Sequence, residues 1–355
     1  MPLAIKEKED CWEFLRRTDL PIFIYGMGDG ADKILKVFEE YSIAAAGFFA
    51  SDEFVRGHSF RGHLVHRLRD IEETVKEFIV VLAFGAGYDS LYSRIEDIAA
   101  RHTLIAPDVP VVGGGLFTLG YALENRAGLE RVYELLADDM SKKTFENIIN
   151  FKISGKIHYL TECTADEDEI MSLLQLSDDE YYVDLGAYNG DTVADFIRGT
   201  GGKYSHIYAA EPDKRNFCKL ERNITAENVT LINAAAWDKD GTLEFSGKGG
   251  RNPSAADFST DRLKAASKEI PALRCDSMTD RATYIKMDVE GAEREAVEGA
   301  KKFIEQGCKL NISLYHRTED IFELPLLIHD LCPQLKLYIR HKKYIPAWET
   351  LLIGI

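Results

Sequence analysis

The stretch Asp184-Leu185-Gly186-Ala187-Tyr188-Asn189-Gly190-Asp191-Thr192 decides how this 355-residue chain is read. Tyr182-Val183-Asp184-Leu185 reads as a buried strand, and a helix is predicted from Asp191 to Arg198. A glycine-rich turn between the two lets a ligand approach backbone that no Cβ obstructs. The helix start offers free N–H groups. Taken alone, G-x-x-x-G is weak, because plain βα turns also favour glycine. The next strand, His206 to Ala210, sharpens it by closing on Glu211-Pro212. That acid lies about twenty residues past the turn, where Rossmann-like sites bind ribose hydroxyls. A carboxylate can accept from both hydroxyls of a diol. An acid that merely favours a helix dipole is the plain alternative. The two signals in register favour a nucleoside.

Downstream the alternation continues. Pro212 suits the start of a helix over Asp213 to Ile224. Val229 to Ala236 is the third strand, running into Asn233-Ala234-Ala235-Ala236-Trp237-Asp238. Small residues there let a flat base lie on backbone, with Trp237 or Asp238 beside it; a strand ending in a turn explains the run equally well. The fourth strand, Thr283 to Val289, places Lys286, Asp288 and Glu290 alternately, on one face. Its carboxyl end is the sheet edge at which α/β folds bind ligands. A helix over Ala292 to Gln306 precedes the fifth strand, Leu310 to Tyr315, which delivers His316. Strands around Leu335 to Arg340 and Thr350 to Ile355 close the chain, with Ile345-Pro346-Ala347 between them as a hairpin connection. The expected fold class is α/β, an open and mostly parallel sheet with an antiparallel edge.

Upstream the same theme occurs once more. Strands are expected at Ile22 to Tyr25, Ile43 to Phe49, Phe78 to Phe84 and Leu104 to Val112. Gly26-x-Gly28-x-x-Ala31, with Asp52 at the ribose distance, fits a dinucleotide fingerprint. Asp29 inside that turn would repel a pyrophosphate, which favours a domain that recognises a partner or substrate without a dinucleotide. Helices over Glu124 to Ala137 and Ser141 to Phe151 form the connection, and Glu162 to Glu169 reads as a solvated acidic stretch. The expected division is a Rossmann-like α/β domain over residues 1–120, a helical connection over 121–176 and the second α/β domain over 177–355. His58, His63 and His66 lie in a basic loop without the acids or cysteines of a metal site.

The downstream motifs together resemble the FkbM family of methyltransferases. The matching residues are Val183 to Ala187 with Asn189 to Thr192, Ala210-Glu211-Pro212, Asn233-Ala234-Ala235 and Ile285 to Glu293. Ile312 to His316, Asp320-Ile321, Tyr338 to His341 and Glu349-Thr350 extend the likeness over about Tyr181 to Ile355. The resemblance implies a class I, Rossmann-like fold and O-methylation by S-adenosylmethionine (SAM), commonly of sugar or polyketide hydroxyls. Cofactor contacts are then expected from Asp184, Gly186, Asn189, Gly190, Asp191, Thr192, Glu211, Pro212, Asn233 and Ala235. Asp184 would accept from the methionine ammonium, and the helix start would receive its carboxylate. Lys286, Asp288, Glu290 and His316 are the catalytic candidates, with a base wanted among the last three. Asp288 and Glu290 also offer oxygens that suit a divalent cation, although two carboxylates do not define a metal site.

Composition narrows the partners. A net charge of −16 argues against nonspecific nucleic-acid binding and against an anionic membrane surface. A neutral small-molecule or glycan acceptor fits better, and a homo-oligomer stays open. The six cysteines form no C-x-x-C pair and read as reduced thiols of a cytoplasmic protein. The charged start, Met1 to Trp12, does not read as a signal peptide. Ser246 to Ser254 is either a lid over substrate or a loose hairpin connection. Two other functions compete: a nicotinamide-linked sugar oxidoreductase using the first domain, and a sensor that binds SAM or a nucleotide sugar without turnover.

Overall fold

The computed structural model describes residues 2–55, 57, 59–113, 115–245 and 268–355. His58 and the Ser246 to Ser254 stretch lie outside the described residues. Two sheets dominate. The first is built from β1 (Ile22–Tyr25), β2 (Gly47–Ala50), β3 (Ser59–Phe60), β4 (His63–Arg67), β5 (Ile79–Leu82) and β6 (Thr103–Ile105). Its order is β3-β4-β2-β1-β5-β6, and every pairing is parallel except β3 with β4. Each residue of β1 and β5 is buried, as unbroken apolar runs covered on both faces require. The helix Asp29–Tyr41 buries Ala31, Ile34, Val37 and Phe38 against them, at the three- and four-residue spacing of one helix face.

The second sheet uses β7 (Thr164–Ala165), β8 (Tyr181–Leu185), β9 (His206–Ala210) and β10 (Val229–Ile232). A small separate sheet follows from β11 (Ala235–Ala236), β12 (Gly241–Phe245) and β13 (Lys268–Leu273). Then come β14 (Tyr284–Met287), β15 (Lys309–Ser313), β16 (Leu337–Lys342) and β17 (Thr350–Gly354). The second sheet has the order β10-β9-β8-β14-β15-β17-β16-β7. β10 through β15 run parallel, and β17 is antiparallel to both β15 and β16. Chain order reverses between β8 and β14, so a crevice opens beyond their carboxyl ends.

Several boundaries differ from the sequence reading. The expected strand over Ile43 to Phe49 is β2, and that over Leu104 to Val112 is the three-residue β6. Asp29 does not sit inside the first glycine turn; it begins the helix, exposed, 3.6 Å from Lys33. His63 and His66 belong to β4 rather than to a loop. The acidic stretch keeps its acids exposed, with Glu169 half-buried, and is partly helical: Asp166 caps the helix Glu167–Leu174 by accepting from the Glu169 N–H, and its acids fill the first turn, where the dipole favours them. The helix expected over Ala292 to Gln306 is two short helices, Glu293–Gly299 and Lys301–Glu305.

The helix Asp139–Ser154 binds the two sheets together. It buries most of its residues, and Gly155 ends it in the left-handed region. Lys152 meets Asp108 at 2.6 Å in a buried ion pair, and Ser141 Oγ accepts from the Ile339 N–H of β16. A single apolar cluster includes Val80 of β5, Phe145 and Ile148 of this helix, and Ile312 and Ile339 of the second sheet. Among the described residues, no helix is long and apolar enough to cross a membrane.

Candidate functional site

A cavity of about 420 Å³ occupies the crevice beyond β8, β9 and β14. One wall is the turn after β8. Gly186 has φ +86°, and a Cβ there would fall 1.9 Å from the Asp288 carbonyl oxygen. No other residue lets the exits of β8 and β14 come so close. Glu211, at the end of β9, fastens the turn: Oε2 accepts from the Tyr188 N–H at 2.9 Å and Oε1 from the Asp213 N–H at 2.8 Å. Each oxygen keeps a second acceptor position. Burial pushes the Glu211 carboxyl up to about 7, against the pull of those two N–H groups. Pro212, Ala235 and Trp237 continue this wall.

The opposite wall comes from the exit of β14. The strand ends at Met287, so Lys286, Asp288 and Glu290 do not share one extended face as their alternation suggests. Asp288 and Glu290 lie in the following turn, where Glu290 takes φ 54°. All three line the cavity nonetheless. Tyr188, Glu290 and Glu349 have φ values of 45°, 54° and 62°, so three of the seven described non-glycine residues in this costly conformation face this one cavity. Such outliers persist where the surroundings impose them, commonly at ligand sites.

Charges in this wall are tightly arranged. Lys286 Nζ lies 3.1 Å from Asp184 Oδ1 and donates to the Gly186 carbonyl at 2.8 Å. Desolvation works against the Lys286 ammonium, but Asp184 and Asp288 outweigh it and raise its pKa. Burial likewise opposes Asp288 ionising, and Lys286 and His316 more than offset it, lowering its pKa. His316 is only 1% exposed. Its Nδ1 is 2.9 Å from Glu293 Oε1, and its Nε2 is 3.4 Å from Asp288 Oδ1 and 3.5 Å from Glu290 Oε2. Burial lowers the imidazole pKa, but Glu293, Asp288 and Glu290 outweigh it and carry it to about 10. An imidazole already charged cannot accept a proton, which disfavours His316 as the base. Glu290 is driven up to about 7, chiefly by burial.

The structure redistributes the candidate residues. Gly186, Asp191, Thr192, Glu211, Pro212, Ala235, Lys286, Asp288 and Glu290 line the cavity. Asp184 does not: it is fully buried behind Lys286, accepting also from the Tyr182 and Thr192 hydroxyls, so it orients the wall rather than meeting a ligand. Asn189 turns outward to accept from the Asp191 N–H. Gly190 allows close packing, since a Cβ would meet Ile224 at 2.7 Å. Asn233 donates to the carbonyls of Glu211 and Pro212 and fixes their loop. His316 stands three residues past the end of β15, behind the carboxylates. Tyr315, Lys342 and Glu349 complete the cavity. Lys342 escaped the sequence reading, and Glu349 entered it only as part of the likeness in the tail, because both arrive from the closing segment of the chain, far from any glycine turn.

The first sheet approaches the site from behind. The Val112 N–H donates to the His316 carbonyl at 2.9 Å, and Gly291, at φ +92°, leaves room for the Val112 side chain. The carboxyl end of β5 is itself covered: a Cβ on Gly85 or Gly87 would meet the Tyr344 ring at under 3 Å.

The strand order, the crevice and the acid after β9 define a class I SAM-dependent methyltransferase fold. Residues 184–346 match the model of the methyltransferase FkbM domain, a little under half of the chain. The methyltransferase FkbM of Methylobacillus flagellatus KT has a similar structure, with a TM-score of 0.73 and 21% identity over 97% of this chain and 92% of that one. Aeropyrum pernix fibrillarin, solved with natively bound S-adenosyl-L-methionine, is a fainter likeness, with a TM-score of 0.34 and 15% identity over 53% of this chain and 74% of that one. No curated protein matches the chain. The domain match supports methyltransferase activity.

Proposed function

We propose that this protein transfers the methyl group of SAM to a hydroxyl of a sugar, polysaccharide or related natural product. The carrying observation is Glu211. It faces a cavity of about 420 Å³, a size usual for small-molecule sites. Each of its oxygens holds one backbone N–H and retains an acceptor position for one hydroxyl of a ribose. The adenine would lie toward Ala235 and Trp237, and the methionine end toward the helix start at Asp191 and Thr192.

When bound, SAM supplies the activated methyl group. The protein's part is to hold a hydroxyl in line with it. Asp288 and Glu290 stand on the wall facing the turn, and Glu290 Oε2 is buried without a hydrogen bond from the described residues. A hydroxyl donating to these carboxylates would lose its proton toward them as the new C–O bond forms. The acids around this end of the cavity, with Lys286 and Lys342 already in ion pairs, suit a neutral polyol better than a phosphorylated or nucleic-acid acceptor. The chain then works on a small molecule or glycan in the cytoplasm, with no membrane partner.

Calorimetry with SAM and with its demethylated product tests the cofactor. Transfer of labelled methyl to a panel of hydroxylated sugars tests the reaction. Binding without transfer to any acceptor would favour the sensor reading.

A further inference from the structure

Behind the cavity wall is a group of side chains whose arrangement the methyl transfer alone does not require. Asp288, Glu293 and His316 each present one ligand-type atom, all within 4.8 Å of one another. Glu293 and His316 are each only 1% exposed. Glu293 Oε1 accepts from the Val289 N–H at 2.9 Å and stands 2.9 Å from His316 Nδ1. His316 Nδ1 makes no hydrogen bond among the described residues, so Glu293 faces the ring as a nearby charge and the imidazole has unmet ligand capacity in a buried place. The other nitrogen is aimed at two more carboxylates. Its separations from Asp288 Oδ1 and Glu290 Oε2, 3.4 and 3.5 Å, exceed the usual hydrogen-bond length of about 2.7–3.2 Å. They equal the edge of a coordination polyhedron whose metal–ligand bonds are about 2.1 Å. Glu290 Oε2 is buried with no hydrogen bond among the described residues.

We propose that His316, Asp288 and Glu293, with Glu290 beside His316 Nε2, bind one divalent transition-metal ion. The ion takes the place of the Nε2 proton, and its charge joins that of Lys286 in answering the carboxylates. One imidazole with two carboxylates selects Mn²⁺, Fe²⁺ or Zn²⁺ over Mg²⁺ or Ca²⁺, which prefer oxygen alone. Asp288 is a third exposed, and it and Glu290 both line the cavity, so the ion's open positions face that space. In that place it would take hydroxyl oxygens of the acceptor, adjacent ones as a chelate, and ease loss of the proton from the hydroxyl to be methylated. This role rests on the proposed methyl transfer; the binding of the ion does not.

The test uses the full chain after dialysis against a chelator. Mn²⁺ is titrated in and followed by the loss of its free electron-paramagnetic-resonance signal, and SAM affinity is measured by calorimetry on the same sample. The expected result is one ion per chain, bound at least about tenfold more weakly in both His316→Gln and Glu290→Gln, with Mg²⁺ a poor competitor. Glu290→Gln, at the cavity wall, guards against misfolding of the buried His316 variant. No Mn²⁺ binding at millimolar concentration, or unchanged affinity in a folded Glu290→Gln, overturns the inference. SAM binding without Mn²⁺ binding defeats the metal site alone; Mn²⁺ binding without SAM binding defeats the cofactor reading alone.

Discussion

Replacing Glu211 by Gln isolates the acceptor charge at the proposed ribose position. Gln is nearly isosteric, so one of the two backbone bonds from Tyr188 and Asp213 survives. The variant loses one hydrogen bond to a charged group, about 1.5–3 kcal/mol, or roughly 10- to 150-fold in Kd. The raised pKa adds a pH signature. A carboxyl held at about 7 instead of the ordinary 4.5 prefers its neutral form in the empty protein. Its contribution to stability is therefore full below pH 4.5 and is lost as pH rises through about 7, by about 3 kcal/mol. Removing that burden offsets the lost backbone bond, so Glu211→Gln should remain folded at pH 8. Ribose hydroxyls need the ionised acceptor, so the wild type should bind SAM about tenfold more tightly at pH 8 than at pH 6. The cofactor's own amino group titrates near this range, but equally in both proteins, so the wild-type to variant ratio is the quantity to read. Calorimetry at the two pH values, with circular dichroism as a fold control, supplies it. A Kd at pH 8 within threefold of wild type, or a ratio that does not change with pH, would refute the ribose assignment.

Asp288→Asn should lower turnover far more than SAM affinity, because Asp288 stands on the acceptor side of the cavity; calorimetry and methyl transfer measured on one preparation check the split. The first sheet should not bind NAD tightly, since Tyr344 covers Gly85 and Gly87 beside the glycine turn; saturable micromolar NAD binding would overturn this and revive the oxidoreductase reading. His341 is fully buried between Thr350 Oγ1 and the Tyr344 carbonyl, and burial depresses its pKa to about 4. Its contribution is present above the ordinary 6.5 and is lost as pH falls toward 4, about 2.5 kcal/mol by pH 4.5. Urea unfolding at pH 7 and 4.5 should show a steeper loss in wild type than in His341→Gln, and parallel losses would contradict it.

The second sheet was legible because its signals are local. Tyr182 to Leu185 is apolar but for Asp184 up to its turn, and Glu211 follows the very next strand. Positions such as Gly186 carry their reason in backbone geometry, and a sequence shows a glycine directly. What escaped depends on chain segments far apart. Asp184 looks like a ligand contact in sequence, being an acid at a strand end. Only the parallel pairing of β14 with β8, which sets Lys286 beside it, turns it into a buried counter-ion. The alternation of Lys286, Asp288 and Glu290 suggested one face of a strand. The strand stops at Met287 instead, because Gly186 admits the Asp288 carbonyl and Gly291 bends the chain toward Val112.

The same long-range logic bears on why the first 120 or so residues accompany this site. Its back wall is not closed by the second sheet alone. Lys33, on the helix that follows the first glycine turn, donates to the carbonyls of Pro110 and Val111. Val112 then donates to His316, and the Gly115 carbonyl accepts from the Thr318 hydroxyl. Arg317 completes this seam by donating to the Gly291 carbonyl at 2.7 Å. A run of hydrogen bonds, side-chain donors to backbone carbonyls and one backbone pair, therefore leads from the first glycine-turn helix to the histidine behind Asp288 and Glu290. Packing explains two glycines here: a Cβ on Gly26 would fall 2.6 Å from the Phe84 ring, and one on Gly30, in the helix, 2.2 Å from the Ala83 carbonyl oxygen, whereas Gly28 has nothing within 4 Å and answers to its φ of +107°. Glycines that suggest a second nucleotide site are thus accounted for by backbone conformation at Gly28 and by packing against the residues after β5 at Gly26, and the helix that follows helps to hold the wall of the site next door.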